Sequence, residues 1–292
     1  MTTKPWLHNV WKLIRDEELS AFSRYDLRHL LEGHRESIGA PKSASVGRVL
    51  KYMQSEGLLN QIELIREGRR TTKGATTRFV THEASQFDIA LSLRNGSYLS
   101  HSTAVFMHGL TDQVPKTIYV NKEQSPKPSW RGRLTQPAID RAFSNAPRTS
   151  KYVFLSQEYR YVLLSGKDTG RKGVVSERAP NGNSVDVTNV ERTLIDIVVR
   201  PIYSGGIFEV LDVYKRTKGG VSVDDLVRLL EELDYVYPYH QSIGFLMERA
   251  GYGERQLKEV ERFGIKWDFY LDYRISGPEY SERWRLFYPK GI

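Results

Sequence analysis

The segment from Arg66 to Arg78 constrains the fold of this chain more than any other. It holds five Lys or Arg residues against one acid, Glu67, so its net charge is 5 − 1 = +4. Gly68 and Gly74 interrupt it, and apolar residues flank it, with Ile62, Leu64 and Ile65 before it and Phe79 and Val80 after it. Polar, glycine-punctuated residues between two apolar runs predict a β-hairpin. The tip of that hairpin should be basic.

Three helices are predicted before the hairpin. The first runs from Pro5 to Asp16, and the second begins after Ser23, which forms a capping box with Asp26, and ends at Gly33. The third has apolar residues at i, i+3, i+4 and i+7, namely Val46, Val49, Leu50 and Met53. Three short helices followed by a basic hairpin is the order of a winged helix-turn-helix, so residues 1–83 are predicted to form a DNA-binding domain of that kind.

The polar face of the third helix carries hydroxyls and long cations and no acid before Glu56. Ser43 or Ser45 is expected to cap this helix. Side chains of these types reach phosphate oxygens and base edges, so the helix and the wing together supply the predicted DNA contacts. The predicted DNA-binding residues are Ser43, Ser45, Arg48, Lys51, Tyr52, Arg66, Arg69, Arg70, Lys73 and Arg78.

A second basic zone covers residues 116–178, with 13 Lys or Arg against five Asp or Glu, a net charge of +8. Such a zone either extends the DNA footprint or contacts an acidic partner or RNA, and the sequence does not choose between them. The residues of this secondary surface are Lys127, Arg131, Arg133, Arg171 and Lys172.

Composition limits the remaining possibilities. The chain has no cysteine, which excludes disulfides and Cys-ligated zinc and favours a reducing compartment. No segment resembles a signal peptide or an apolar membrane span, so a cytoplasmic protein is expected.

Short catalytic motifs are absent, including the P-loop and the H-E-x-x-H, G-x-S-x-G and G-x-G-x-x-G patterns. No catalytic residue, metal or cofactor is therefore predicted. His101 and His108, seven positions apart, are a weak metal candidate because no acid lies at ligand spacing. Asp186, Glu191 and Asp196 could serve a metal-dependent nuclease, but a capping box between Thr188 and Glu191 explains the second of these acids better.

Helices and strands alternate irregularly through the rest of the chain, which predicts a mixed α+β domain over residues 84–292. Its expected helices are 85–94, 136–144, 189–199, 206–217, 223–233, 239–250 and 254–263. Its expected strands are 117–120, 152–155, 161–164, 173–176, 184–187, 267–271 and 285–288.

Two segments of this domain resemble a known family. The first runs from Tyr98 to Val120 and reads Y-L-S-H-S-T-A, then H-G-L-T-D-Q-V-P, then I-Y-V. The second runs from Glu191 to Gly206 and reads E-R-T-L-I-D, then R-P-I-Y-S-G-G. Together they resemble the AbiEi family of antitoxins, which are transcriptional regulators of bacterial abortive-infection operons. The resemblance implies a family-like core over residues 84–217, followed by a helical extension with terminal strands over residues 218–292.

The resemblance implies a sequence-specific autorepressor that binds operator inverted repeats in double-stranded DNA. It also implies an antitoxin of a type IV, AbiE-like phage-defence system that counters a nucleotidyltransferase-like toxin, with or without direct contact. The two motifs themselves look architectural, because small residues, caps, proline and paired glycines suit tight joints. Two alternatives stay open: a nuclease targeted by the winged helix, and an interaction protein that binds a toxin or RNA through residues 116–178.

Overall fold

The structure, a computed structural model, describes residues 4–68, 75–127 and 132–292. It begins with six elements in the order helix, strand, helix, helix, strand, strand. These are α1 (Pro5–Asp16), β1 (Ala21–Phe22), α2 (Arg24–Gly33), α3 (Val46–Ser55), β2 (Asn60–Arg66) and β3 (Thr76–Val80).

The middle of the chain supplies most of the remaining strands. Its elements are α4 (Gln86–Leu91), β4 (Tyr98–Leu99), α5 (Ser102–Met107), β5 (Thr117–Glu123), α6 (Gln136–Phe143), β6 (Val153–Ser156), β7 (Tyr159–Gly166), β8 (Val174–Arg178) and β9 (Ser184–Thr188). A run of helices follows, ending in three short strands. These are α7 (Val190–Val199), a 3-10 helix (Pro201–Ser204), α8 (Ile207–Thr217), α9 (Val223–Leu233), α10 (Tyr239–Arg249), α11 (Glu254–Glu261), β10 (Phe269–Tyr270), β11 (Glu279–Ser281) and β12 (Leu286–Tyr288). The fold is mixed α+β, as the sequence predicts.

Nine strands of the described residues form one mixed sheet in the order β1-β3-β2-β6-β7-β5-β4-β9-β8. The hairpin β2–β3 joins the rest of the sheet through β2, which pairs antiparallel with β6 at Ile65–Leu155 and Arg66–Phe154. β5 and β7 are parallel along seven residues each. The sheet therefore crosses the predicted domain boundary after residue 83, and the division of the chain at that point stays a prediction.

The hairpin contributes to two hydrophobic cores. Phe79 packs with α1, α2 and α3 in an N-terminal core that includes Val10, Leu27 and Leu50. Leu64 and Val80 instead belong to the core of the large sheet. Successive side chains of a strand point to opposite faces, which is how one hairpin serves both cores. A third, larger core lies among the C-terminal helices around Leu194, Val210, Leu230, Ile243 and Trp284.

Local capping signals mark the start of several helices. Ser23 and Asp26 form the predicted capping box of α2, and α1 has its predicted bounds, with Pro5 as its first residue. Ser45 rather than Ser43 caps α3, accepting a hydrogen bond from the Arg48 backbone. The prediction that Thr188 caps α7 is wrong.

Asn189 caps that helix instead, because its side chain accepts from the Arg192 N–H at 2.8 Å. The Thr188 hydroxyl instead forms a hydrogen bond of 2.7 Å with the Thr193 hydroxyl.

In the described part of the chain, no helix has the length and apolar character needed to cross a membrane.

Candidate nucleic-acid interface

α3 divides into a buried apolar face and an exposed basic face. Val49, Leu50 and Met53 are almost completely buried in the N-terminal core. Arg48 and Lys51 are exposed, one turn apart on the opposite side, and their side chains have no hydrogen-bond or ion-pair partner among the described residues. Both cations are thus available to a polyanion, and the helix that carries them is fixed by its buried face.

The other predicted residues around α3 differ in exposure. Ser43 is exposed in the turn before the helix, and Ser45 is exposed but uses its hydroxyl as the N-cap. Tyr52 is half-buried, because its ring packs against the N-terminal core. Arg48 and Lys51 therefore offer the longest free side chains of the predicted set on this helix.

Part of the hairpin tip lies outside the described residues, including the predicted DNA contacts Arg69, Arg70 and Lys73. Arg66, at the end of β2, is half-buried. Its guanidinium carbon lies 4.9 Å from the centre of the Tyr152 ring, and its Nη2 donates to the Lys151 carbonyl at 3.3 Å. These contacts orient Arg66 toward the start of β6.

The placement of Arg78 corrects the sequence-based prediction. Arg78 is only 7% exposed and cannot contact DNA at the tip. Its guanidinium donates to the carbonyl and hydroxyl oxygens of Ser92 at 2.8–3.1 Å and to the Thr77 carbonyl at 2.8 Å. Burial lowers the pKa of Arg78, a change that the charge of Asp26 opposes. Arg78 instead attaches β3 to the end of α4.

The beginning of the tip is attached to the large sheet. The Glu67 N–H donates to the Val153 carbonyl at 2.8 Å, and its carboxylate accepts two hydrogen bonds of 3.1 Å from Arg160 on β7. Sequence reasoning missed Val153 and Arg160 because they lie more than 80 positions from Glu67 and no local pattern marks them. The basic tip therefore starts from a fixed position on the sheet.

The predicted secondary surface is only partly available. Lys127 and Arg133 are exposed, and Arg131 lies outside the described residues. Arg171 binds the Asp186 carboxylate and the Gly96 carbonyl, and Lys172 lies 3.3 Å from the Glu232 carboxylate. Because these two cations are already paired with acids, they add little to an electropositive surface.

Two of the three acids considered for a nuclease have structural partners. Asp186 pairs with Arg171, and Asp196 accepts from Arg192 at 2.8 Å in a buried ion pair. Burial alone would lower the pKa of Arg192, but the charge and hydrogen bond of Asp196, together with the neighbouring Tyr235 and Tyr98, raise it overall. Glu191 is half-buried in the first turn of α7. No group of three or more potential metal ligands occurs among residues 4–68, 75–127 and 132–292.

The two histidines flank α5 rather than sharing one of its faces. His101 precedes the helix, is buried, and has its Nδ1 3.0 Å from the Ser100 hydroxyl. Burial lowers its pKa to about 4. His108 follows the helix, and its Nε2 lies 2.6 Å from the Thr188 carbonyl oxygen. Each ring therefore contributes to packing and hydrogen bonding.

The Glu191–Gly206 segment holds the loop of residues 167–173 in place through Arg192. Arg192 donates to the Lys172 carbonyl at 2.7 Å and to the Thr169 hydroxyl at 3.2 Å. Gly173, with φ +70°, lies so close to Arg192 that a Cβ there would be 2.7 Å from the Arg192 Cβ. These contacts give the E-R-T-L-I-D part of the segment an architectural role.

Comparison with known proteins places this chain only at the level of its fold. No protein-family model and no curated protein matches it. Among solved structures it is similar to the RV2827C protein from Mycobacterium tuberculosis, with a TM-score of 0.53 and 16% sequence identity. That match covers 98% of this chain and 92% of the other. The similarity extends over nearly the whole of both chains and supports one mixed α+β architecture.

Proposed function

We propose that this protein is a sequence-specific DNA-binding repressor whose residues 1–83 form a winged helix-turn-helix. In this proposal α3 is the recognition helix and the β2–β3 hairpin is the wing. The proposal rests on the two faces of α3. Arg48 and Lys51 are exposed and unpaired within the described residues, and the opposite face of the helix is buried.

The order of elements supports the same assignment. Helix, strand, helix, helix and a two-stranded hairpin follow one another within residues 5–80, and β1 pairs with β3 of that hairpin. Without the buried Arg78, the wing segment keeps four Lys or Arg against Glu67, a net charge of 4 − 1 = +3, which adds phosphate contacts beside a groove-reading helix. Arg78 is left out of the proposed contacts because it is buried.

We further propose that the protein is a cytoplasmic antitoxin that represses its own operon and counters a nucleotidyltransferase-like toxin. This part of the proposal rests on the resemblance of the Tyr98–Val120 and Glu191–Gly206 segments to AbiEi proteins. Its test is co-expression with the product of the neighbouring gene: growth rescued by this chain supports the antitoxin role, and unrelieved or absent toxicity contradicts it.

A gel-shift titration against the DNA upstream of the protein's own gene tests the repressor role. Random DNA serves as competitor, and Arg48→Ala is compared with Lys12→Ala, a matched loss of one exposed helical cation on α1 of the same module. If Arg48 reads a base, its loss costs about 1–3 kcal/mol on the specific site and little on random DNA.

Lys12→Ala should leave specific binding close to that of the wild type. The proposal fails if the wild-type protein binds its own upstream region no more tightly than random DNA. If Arg48→Ala weakens specific and random DNA equally, α3 does not read bases through Arg48.

A further inference from the structure

Gly47 is the second residue of α3 and is exposed. Its backbone does not require glycine, because its φ is not in the left-handed region. Packing does not require glycine either, since a Cβ at this position would meet no other part of the described protein within 4 Å. The fold of the described residues therefore gives no reason for a glycine here.

Glycine is an unfavourable residue at this point of a helix. Its helix propensity is the lowest after that of proline, and it is enriched just past the end of a helix rather than inside the first turn. Gly244 in α10 shows the usual exception, because a Cβ there would lie 2.1 Å from the Trp284 ring. With no such contact at Gly47, the compensating benefit is to be sought in a molecule that α3 binds.

Gly47 lies beside the two free cations of α3. Arg48 is the next residue, and Lys51 follows Gly47 by four positions, which makes the two neighbours on the helix surface. The Cα–Cβ bonds of a helix tilt toward its N-terminus, so the bond of Lys51 is directed toward the turn that holds Gly47. A ligand in contact with the main chain at Gly47 is therefore close to both cations.

The first turn of α3 presents mainly main chain on this side. Ser45 uses its hydroxyl as the N-cap, accepting from the Arg48 N–H at 3.4 Å. Val46 is half-buried and packs against the N-terminal core. Gly47 has no side chain, so Arg48 is the long side chain that extends beside this exposed stretch of backbone.

DNA is the ligand that suits this surface. Arg48 and Lys51 are the charged residues of α3, and both are positive, so the surface is complementary to a polyanion. The N-terminal residues of a recognition helix contact base edges in the major groove. Glycine allows the closest approach between a protein main chain and a ligand, because no Cβ stands between them.

We propose that Gly47 is the point at which α3 lies closest to the DNA, with its main chain against base-pair edges in the major groove. Gly47 then sets how deeply the helix enters the groove, and so which base edges Arg48 reaches. The inference rests on the proposed DNA-binding function and adds to it a specificity-determining residue that has no side chain.

The test compares Gly47→Ala and Gly47→Leu with Gly33→Ala and Gly33→Leu. Gly33 is a matched control, an exposed glycine at the end of α2 whose φ is not positive and whose Cβ position also has nothing within 4 Å. Fluorescence anisotropy measures binding of each full-length protein to the DNA upstream of its own gene and to random DNA, over a range of salt concentrations. Thermal unfolding gives the melting temperatures.

Gly47→Ala should keep or raise the melting temperature, because alanine has the higher helix propensity. It should weaken binding to the specific DNA by about fivefold or more, the effect of forcing one methyl group into a packed contact. Gly47→Leu should weaken that binding further. Binding to random DNA should change much less, and the salt slope should stay the same because no charge is removed. Both Gly33 variants should bind DNA as the wild type does.

Specific binding by the wild type that both Gly47 variants retain in full overturns the inference and leaves the repressor proposal standing. Equal losses on specific and random DNA, equal losses in the Gly33 variants, or a lower melting temperature of Gly47→Ala also overturn it, because each places the effect away from the base edges. If the wild type binds its own upstream DNA no more tightly than random DNA, the proposed function itself fails, and the inference fails with it.

Discussion

The Arg160 guanidinium donates two hydrogen bonds of 3.1 Å to the Glu67 carboxylate, 93 positions earlier in the chain. Glu67 directly follows β2 at the start of the basic tip, and Arg160 lies on β7. The hydrogen bond from Arg160 lowers the pKa of Glu67, and the same hydrogen bond raises the pKa of Arg160. Both side chains are partly exposed, at 41% for Arg160 and 47% for Glu67, so solvent screens the pair and it contributes little to global stability. Its effect should be on the orientation of the hairpin.

The Glu67→Gln variant tests whether Glu67 orients the hairpin or only lowers its net charge. The substitution raises the net charge of the Arg66–Arg78 segment by one, so binding to random DNA should strengthen. Binding to the specific site should gain less, because the tip is less firmly oriented, and the ratio of specific to random affinity should fall. Gel-shift titrations on both DNAs measure this ratio. An unchanged ratio would show that the Glu67–Arg160 pair does not orient the wing.

Arg78 should matter for stability rather than for DNA contact. Arg78→Met removes hydrogen bonds to Ser92 and Thr77 and takes a donor from their partly buried carbonyl groups, so we expect a loss of about 2–4 kcal/mol in the free energy of unfolding. Lys51→Met, at an exposed position on α3, should change stability by less than about 0.5 kcal/mol. Urea unfolding of the two variants makes the comparison, and similar losses in both would contradict the assigned role of Arg78.

Gly244 is required by its contact with Trp284. A Cβ at this position in α10 would lie 2.1 Å from the indole ring, which is completely buried. Gly244→Ala should therefore destabilise the protein by about 1–3 kcal/mol or more, because the core must shift to accept the methyl group. Gly47→Ala in α3 is the control, since nothing lies within 4 Å of its Cβ position. That substitution should be neutral or stabilise the helix by up to about 1 kcal/mol. Thermal unfolding that ranks the two variants the other way would refute the packing argument.

Local signals predict the helices well because the relevant interactions lie within a few residues. Proline at the start of α1 and Ser222 before α9 set helix starts that the sequence locates correctly. The two-residue strands β1 and β4 were not predicted, because each exists only through a distant partner. β1 pairs with Phe79 and Val80, and β4 pairs with Val120 and Asn121.

The candidate nucleic-acid interface was likewise predicted only in part. The exposed basic face of α3 follows from its periodicity, and Arg48 and Lys51 lie where the pattern predicts them. The burial of Arg78 could not be predicted, because charge composition does not reveal that Ser92, 14 positions later, folds back onto its guanidinium. The pairing of Arg171 with Asp186 was missed for the same reason, since Arg171 lies in the turn before β8 and Asp186 lies in the middle of β9, which pairs with β8.

His101 should make stability depend on pH. Burial lowers its pKa to about 4 in the folded protein, against about 6.5 in the unfolded chain. The unfolded state therefore binds the proton more readily, and stability falls as the pH drops from about 6.5 to about 4, by up to about 3 kcal/mol. His101→Asn removes the titrating group, so its stability should decline less across this window. Urea unfolding at several pH values measures both curves, and parallel curves would rule out His101 as the source.

The wing arginines should act through charge alone. Each of Arg69 and Arg70 that neutralises a phosphate contributes about 0.9 to the slope of log K against log salt, because it releases a counterion. Replacing either by Ala should flatten the slope by about one unit and weaken specific and random DNA similarly. Arg255→Ala, at an exposed position on α11, is the control and should leave the slope unchanged. Fluorescence anisotropy over a range of salt concentrations measures the slopes. If the wing variants keep the wild-type slope, the basic tip does not contact the DNA backbone, and the proposed wing loses its role.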